Sequence, residues 1–231
     1  MEALIRWHHP QRGLLLPCAF LPEIENHVLM IEVGEWVIHE VLRQVSEWKT
    51  RGVHVSVSVN IGARHLQQSD FVERLRQILA AYPEVDPVML EFEILEVAPL
   101  KDVAHVINVL AQCRELGVRF SLDDFGTGYP SISYLKKLPV GQLKIDQGFV
   151  RDMLKNSKDV AILKGVIALA QAFSCDVIAE GVETEEQEFT LLALGCDMVQ
   201  GFGIAPAMPA EAFLYWMENW TPKSVWRAEL N

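Results

Sequence analysis

Seven short stretches of this chain alternate polar and apolar residues, and longer amphipathic stretches separate them. Strands are predicted near 2–7, 53–60, 88–95, 118–124, 141–146, 175–180 and 197–201. Helices are predicted between them at about 20–49 (broken), 69–81, 102–116, 130–137, 158–173 and 184–194. Side chains alternate across a strand. Glu2, Leu4 and Arg6 therefore oppose Ala3, Ile5 and Trp7, while Ser56, Ser58 and Asn60 oppose Val55, Val57 and Val59. Further on, Glu91 and Glu93 oppose Leu90, Phe92 and Ile94, and Ser121 and Asp123 oppose Phe120 and Leu122. Each strand thus has one apolar face for helices and one polar face.

Local grammar supports this order. WKTRG, CRELG and LLALG each precede a strand, and their Gly52, Gly117 and Gly195 suit the left-handed stop of a helix. Thr184 followed by Gln187 reads as a capped helix start. Strands alternating with helices imply a parallel sheet covered by helices. A doubly wound open sheet fits the alternation, but its strands are usually apolar on both faces. A TIM-like (β/α)8 barrel fits the polar faces better, with a site at the carboxyl ends of the strands. Seven strands are found where eight are needed. The expectation is that an element preceding Met1 is missing, leaving Glu2 on a terminal strand prone to fraying. One domain is expected over 1–220, followed by a polar, peripheral tail at 221–231.

The polar faces carry the candidate chemistry. Glu2, Asn60, Glu93, Asp123 with Asp124, Asp146 and Glu180 sit in or end six of the predicted strands. A buried carboxylate is costly unless it is paired or binds a metal, so the set implies one shared polar site. Carboxylates and an amide oxygen are hard ligands, suited to Mg²⁺ or Mn²⁺. Two such ions can clamp a phosphodiester and activate a water. Lys144 shares a side with Asp146 and could hold that water or offset charge, while Arg6 could fork onto a phosphate oxygen. For any one of these residues alone, a structural ion pair or a capping role is the ordinary reading; the set changes that balance.

Composition narrows the field. The 231 residues are 50% hydrophobic and 22% charged, a globular balance with room for one large core. The net charge of −11 argues against polymeric nucleic acid as a partner. Four cysteines form no CxxC pair, and seven scattered histidines form no HExxH, so zinc chemistry is not expected. No apolar run is long enough to span a bilayer and no signal peptide is visible, so a cytoplasmic setting without membrane insertion is expected. Asp123-Asp124-Phe125-Gly126 also resembles the metal-binding Asp segment of protein kinases, but no Gly-rich phosphate loop or HRD loop accompanies it. Gly126 and Gly128 lack the third glycine of a dinucleotide fingerprint and suit a loop that gates the site.

An ordered set of motifs covers nearly the whole chain: EALIRW at 2–7, SVNIGAR at 58–64, EFEILE at 91–96, DDFGTGY at 123–129, LKIDQGFV at 143–150, AEGVE at 179–183 and QGFGIA at 200–205. Through them the chain resembles the EAL family of cyclic di-GMP phosphodiesterase domains. The resemblance implies a TIM-like barrel whose first strand is antiparallel to the rest, and hydrolysis of cyclic di-GMP to linear pGpG with Mg²⁺ or Mn²⁺, two ions in all. It implies Glu2, Asn60, Glu93, Asp123, Asp124 and Glu180 as metal ligands. Lys144, Glu183 and Gln200 are the implied catalytic and supporting residues, Leu4 and Arg6 the substrate contacts, and Glu96 the anchor of the loop at 124–131. It further implies a homodimer and, in a longer parent protein, an upstream sensor or GGDEF domain. Four departures bear on the loop and on coupling: Leu95 replaces the usual Thr, Pro130 the usual Ser, and Pro206 and Ala207 the usual Arg-Pro pair. Two other readings stay open, a cyclic di-GMP receptor without turnover and an interaction scaffold without ligand.

Overall fold

The structure is a computed structural model of the full chain and describes residues 1–95, 103–127 and 135–221. The chain divides into two compact units, residues 1–122 with 130–141 and residues 123–129 with 142–231.

The first unit carries β1 (Glu2–Ala3), β2 (Trp7–His9), β3 (Gly13–Leu15), α1 (Leu21–Ile24), α2 (Leu29–Thr50), β4 (Val57–Asn60), α3 (Ala63–Leu66), α4 (Phe71–Ala80), β5 (Leu90–Leu95), α5 (Val103–Glu115) and the first residues of β6 (Arg119–Phe125). The strand order here is β1-β4-β5-β6. β1 runs parallel to β4, and β4 parallel to β5. Helix α2 buries Ile38, Val41, Leu42 and Val45, the three- and four-residue spacing of one helical stripe. A chain of tilted rings, Phe71 to Phe92 at 6.1 Å and Phe92 to Phe120 at 5.6 Å, joins α4 to the apolar face of β5 and β6. Each such ring contributes about 2–3 kcal/mol by burial.

The expected strand over 2–7 is broken. β1 ends at Ala3, and Trp7 opens a separate antiparallel hairpin in which it pairs with Leu15. Two ring contacts, to Phe20 at 5.7 Å and His9 at 4.8 Å, hold Trp7 there. His9 Nδ1 closes the hairpin by accepting from the amides of Gln11 and Arg12. Strand β4 is also shorter than expected, beginning at Val57.

The second unit carries the remainder of β6, then β7 (Gln142–Ile145), α6 (Gln147–Asp152), α7 (Ser157–Ala172), β8 (Asp176–Ala179), α8 (Glu185–Ala193), β9 (Met198–Val199) and α9 (Ala210–Asn219). The order is β6-β7-β8-β9, with β7 parallel to β8 and β8 parallel to β9. Leu143 and Ile145 are fully buried on the face opposite Lys144, and α7 buries Leu163, Val166, Ile167 and Ala170. Helices α6 and α9 and the hairpin were not expected from the sequence. Glu96, Gly128, Pro130, most of the predicted helix at 130–137 and the tail beyond Thr221 lie outside the described residues.

The three predicted helix stops have the expected form. Gly52, Gly117 and Gly195 all have positive φ. After each, the next residue's amide reaches back to the helix: Val53 to Trp48 O, Val118 to Cys113 O and Cys196 to Leu191 O, as a Schellman motif requires. Helix α7 ends the same way, with Cys175 reaching Ala170 O, but Ser174 takes the left-handed position at φ 56°. Burial pushes the thiols of Cys113 and Cys196 up to about 12 and about 11, so both behave as small apolar side chains at neutral pH.

His65, next to the α2–α4 packing, is 3% exposed. Its ring meets Phe71 edge-on at 4.9 Å and lies 4.0 Å from Glu35 Oε1. Burial, aided by the Arg74 charge, pushes its pKa down to about 4. The folded protein therefore keeps this ring neutral while the unfolded chain protonates it below about 6.5. This contribution to stability is complete above pH 6.5 and is lost as pH falls toward 4. From this group alone, urea unfolding should show a fold about 2 kcal/mol less stable at pH 5 than at pH 7.5. His65→Leu should remove that step; an unchanged pH profile in the variant would refute the assignment.

Candidate active site

In the first unit, strand register aligns the polar residues. Glu2 is level with Ser58 and Ser58 with Glu91, while Asn60 is level with Glu93. Aligned residues on parallel neighbours face the same way, so all five share one face. Asn60 Nδ2 donates to Glu2 Oε1 at 2.8 Å. That bond uses the amide's nitrogen and turns its oxygen, the hard donor, away from Glu2. Glu93 is 2% exposed, and the Ile61 amide bonds its carbonyl. Arg119 Nε lies 3.7 Å from Glu91 Oε2 and offsets the next acid on that face. Glu2 does not hang free: β1 is held to β4 by the Ser58 amide and hydroxyl, which both donate to Met1 O. Leu4 and Arg6 fall between β1 and the hairpin. Leu4 is exposed, and Arg6 Nη1 donates to the Ile5 carbonyl at 2.9 Å.

In the second unit, Lys144 is the central residue. It is 1% exposed, and its Nζ lies 3.1 Å from Asp123 Oδ1 and 2.6 Å from Glu180 Oε1. Consecutive strand residues ordinarily face opposite sides. Asp124 departs from this through a left-handed φ of 55°, a conformation costing about 1–2 kcal/mol in a non-glycine residue. Asp123, Asp124 and Glu180 each thereby offer a carboxylate oxygen, all within 4.8 Å of one another. Around a small hard cation, oxygens at about 2.1 Å stand roughly 3 to 4 Å apart. The cluster therefore fits such an ion with a slight closing of the three side chains.

Backbone contacts hold these acids in place. The Glu180 amide donates to Ile145 O, and a Cβ on Gly181 would come within 2.5 Å of Gln147 Cβ. The Gln200 amide donates to Ala179 O, and its carbonyl accepts from Val182. Glu183 is exposed, its amide donating to Gln187 Oε1 at 2.9 Å. Asp146 does not join the cluster's acids: its Oδ1 caps α6 by accepting from Gly148 N at 2.9 Å. Asp146, one of the strand-end acids of the sequence, thus serves here as a helix cap. A short acid at a strand–helix junction serves equally well as an N-cap, and sequence alone does not separate the two roles. Pro206 and Ala207 are exposed in an irregular segment, and Leu95 is 48% exposed.

A model of the EAL domain matches residues 1–207. The chain belongs to that family. This EAL domain is 40% identical over 215 residues to the bifunctional diguanylate cyclase/cyclic di-GMP phosphodiesterase MucR of Pseudomonas aeruginosa, covering 93% of this chain and 31% of that protein. It is 37% identical over 224 residues to the cyclic di-GMP phosphodiesterase PdeR of Escherichia coli, covering 97% and 34%. The chain thus spans about a third of the length of these curated relatives. The solved phosphodiesterase of P. aeruginosa MucR, in complex with c-di-GMP, superposes with a TM-score of 0.86 at 40% identity, over 92% of this chain and 86% of that one. The fold is accordingly the TIM-like α/β barrel of EAL domains. No helix among the described residues is long and apolar enough to cross a membrane.

Two features escaped the sequence. One is the Arg119–Glu91 pair, of which only the face of Glu91 was visible. The other is Gln187, which reads as a helix cap but also donates through Nε2 to Val150 O at 3.2 Å.

Proposed function

We propose that this EAL domain hydrolyses one phosphodiester bond of cyclic di-GMP to give linear pGpG, using Mg²⁺ or Mn²⁺. The observation that carries the reading is a buried lysine held between two carboxylates of a three-acid cluster. Similarity to relatives named as cyclic di-GMP phosphodiesterases supplies the substrate.

Asp123, Asp124 and Glu180 would hold one cation in the second unit; Glu2, Asn60 and Glu93 are the further ligands that the family resemblance implies. Bound divalent ions supply a polarised phosphodiester and a water acidified toward neutrality. Lys144, fixed by its two ion pairs, orients the attacking water and offsets charge building on phosphorus. The water oxygen bonds to phosphorus as the bond to one sugar oxygen breaks, and the proton that the water gives up is balanced by the one that the departing sugar oxygen takes on. Glu183 and Gln200 support the hydrogen bonds around the water, Arg6 contacts a phosphate oxygen, and Leu4 contacts the substrate.

The test is incubation with cyclic di-GMP and Mg²⁺ or Mn²⁺, with product followed by chromatography. Linear pGpG is expected, and Asp123→Asn should lower the rate roughly 10²-fold or more. A folded wild-type protein that forms no product at micromolar concentration with either metal overturns the reading. Tight calorimetric binding without product would instead identify a receptor.

A further inference from the structure

Gln187 is 6% exposed and makes more contacts than a helix cap needs. Its Oε1 accepts from Glu183 N at 2.9 Å and Thr184 N at 3.1 Å, and its own amide donates to Thr184 Oγ1 at 3.3 Å. The two bonds between Thr184 and Gln187 form the capping box of α8. The remaining bond, from Nε2 to Val150 O, crosses to a residue 37 positions earlier in α6. Helix α6 begins just after Lys144 and Ile145, and the loop Glu180–Thr184 follows β8. Gln187 therefore ties the segment that follows Lys144 to the loop that presents Glu180 and Glu183. The contacts of Glu180 N with Ile145 O and of Gly181 with Gln147 lie along the same seam.

We propose that Gln187 is a positioning residue whose carboxamide clamps the Glu180–Thr184 loop to α6 and so sets the affinity of the carboxylate cluster for a divalent cation. The inference rests on the metal-site reading above. A capping box works as well with Glu as with Gln at this position, and an acid in the first turn also suits the helix dipole. Glu lacks the Nε2 donor, however, and sets a carboxylate oxygen against the Val150 carbonyl. Gln187→Glu therefore removes the clamp while keeping the cap, and Thr184→Ala weakens the cap while keeping the clamp.

The experiment titrates Mn²⁺ into the full chain by electron paramagnetic resonance, alongside thermal unfolding and steady-state kinetics with cyclic di-GMP. Gln187→Glu should unfold within about 5 °C of wild type yet bind Mn²⁺ roughly tenfold more weakly. Its kcat should fall at subsaturating metal while KM stays within about twofold. Thr184→Ala should unfold several degrees lower, with Mn²⁺ affinity within about twofold of wild type. Wild-type Mn²⁺ affinity in Gln187→Glu overturns the proposal, as does loss of its fold. So does a Thr184→Ala protein that loses as much Mn²⁺ affinity as Gln187→Glu. A wild type that binds Mn²⁺ but forms no product sinks the hydrolase reading alone, and the Mn²⁺ contrast still decides the role of Gln187. A wild type that binds no Mn²⁺ overturns both.

Discussion

Replacing Lys144 with Met should lower cyclic di-GMP turnover by roughly 10²- to 10³-fold and, in EDTA, destabilise the fold by about 3 kcal/mol. The two effects share one origin. The ammonium sits 3.1 Å and 2.6 Å from two carboxylate oxygens and is almost wholly excluded from water. Methionine fills similar volume but removes the ammonium that both Asp123 and Glu180 reach, and removing one partner of a buried pair is far costlier than the pair's net worth. A divalent cation can replace the lost charge. Mn²⁺ should therefore raise the melting temperature of Lys144→Met more than that of the wild type, while turnover stays low. Differential scanning calorimetry in EDTA and in Mn²⁺ makes the comparison. Equal stability of the two proteins in EDTA would show that Lys144 does not neutralise these acids.

Gly201→Ala should be the most destabilising single-carbon change in the second unit, at about 4 kcal/mol or more. A Cβ there would stand 2.2 Å from Val182 O, 2.3 Å from Val182 N and 2.8 Å from Val182 C. All three are backbone atoms, so no rotamer change relieves the overlap. The two segments must separate, which breaks the bonds from Val182 N to Gln200 O and from Gly203 N to Val182 O. Gly203 also packs on Glu183, less tightly, with a Cβ 2.9 Å from its carbonyl carbon and oxygen. The cost is therefore coupled to the site, because the segments forced apart carry Glu180, Glu183 and Gln200. Urea unfolding measures the loss. A midpoint within experimental error of wild type would mean that the two backbones do not approach this closely.

Much of this was legible in the sequence, and what was not has physical reasons. Period-two alternation placed Glu91 and Glu93 opposite Phe92 correctly, because a strand with one apolar face admits only one register. Glycine marked three helix ends, since a left-handed residue there is cheapest without a Cβ. The fourth such end was hidden because Ser174 adopts the same conformation with no glycine to announce it. The break after Ala3 was also hidden. EALIRWHH reads as one alternating run, and only the packing of Trp7 on Phe20 and His9 diverts it into a hairpin. Asp123, Asp124 and Glu180 were each marked in the sequence as strand-end acids, yet sequence could not separate Asp146, which caps a helix, from Glu180, which pairs with Lys144. That distinction lies in which neighbour each oxygen reaches, and two acids ending adjacent strands look alike until the chain is folded.

The left-handed backbone at Asp124 also limits what can occupy that position. Glycine, asparagine and aspartate tolerate this conformation with least strain. Aspartate alone among them carries a charge. Drift that preserves the strand therefore has two inexpensive exits, Asn and Gly, and each removes one carboxylate from the cluster while leaving Asp123, Lys144 and Glu180 in the chain. Position 124 is thus a place where the fold itself channels mutation toward loss of one ligand, and a diverged copy of this domain could lose that charge without first losing its structure.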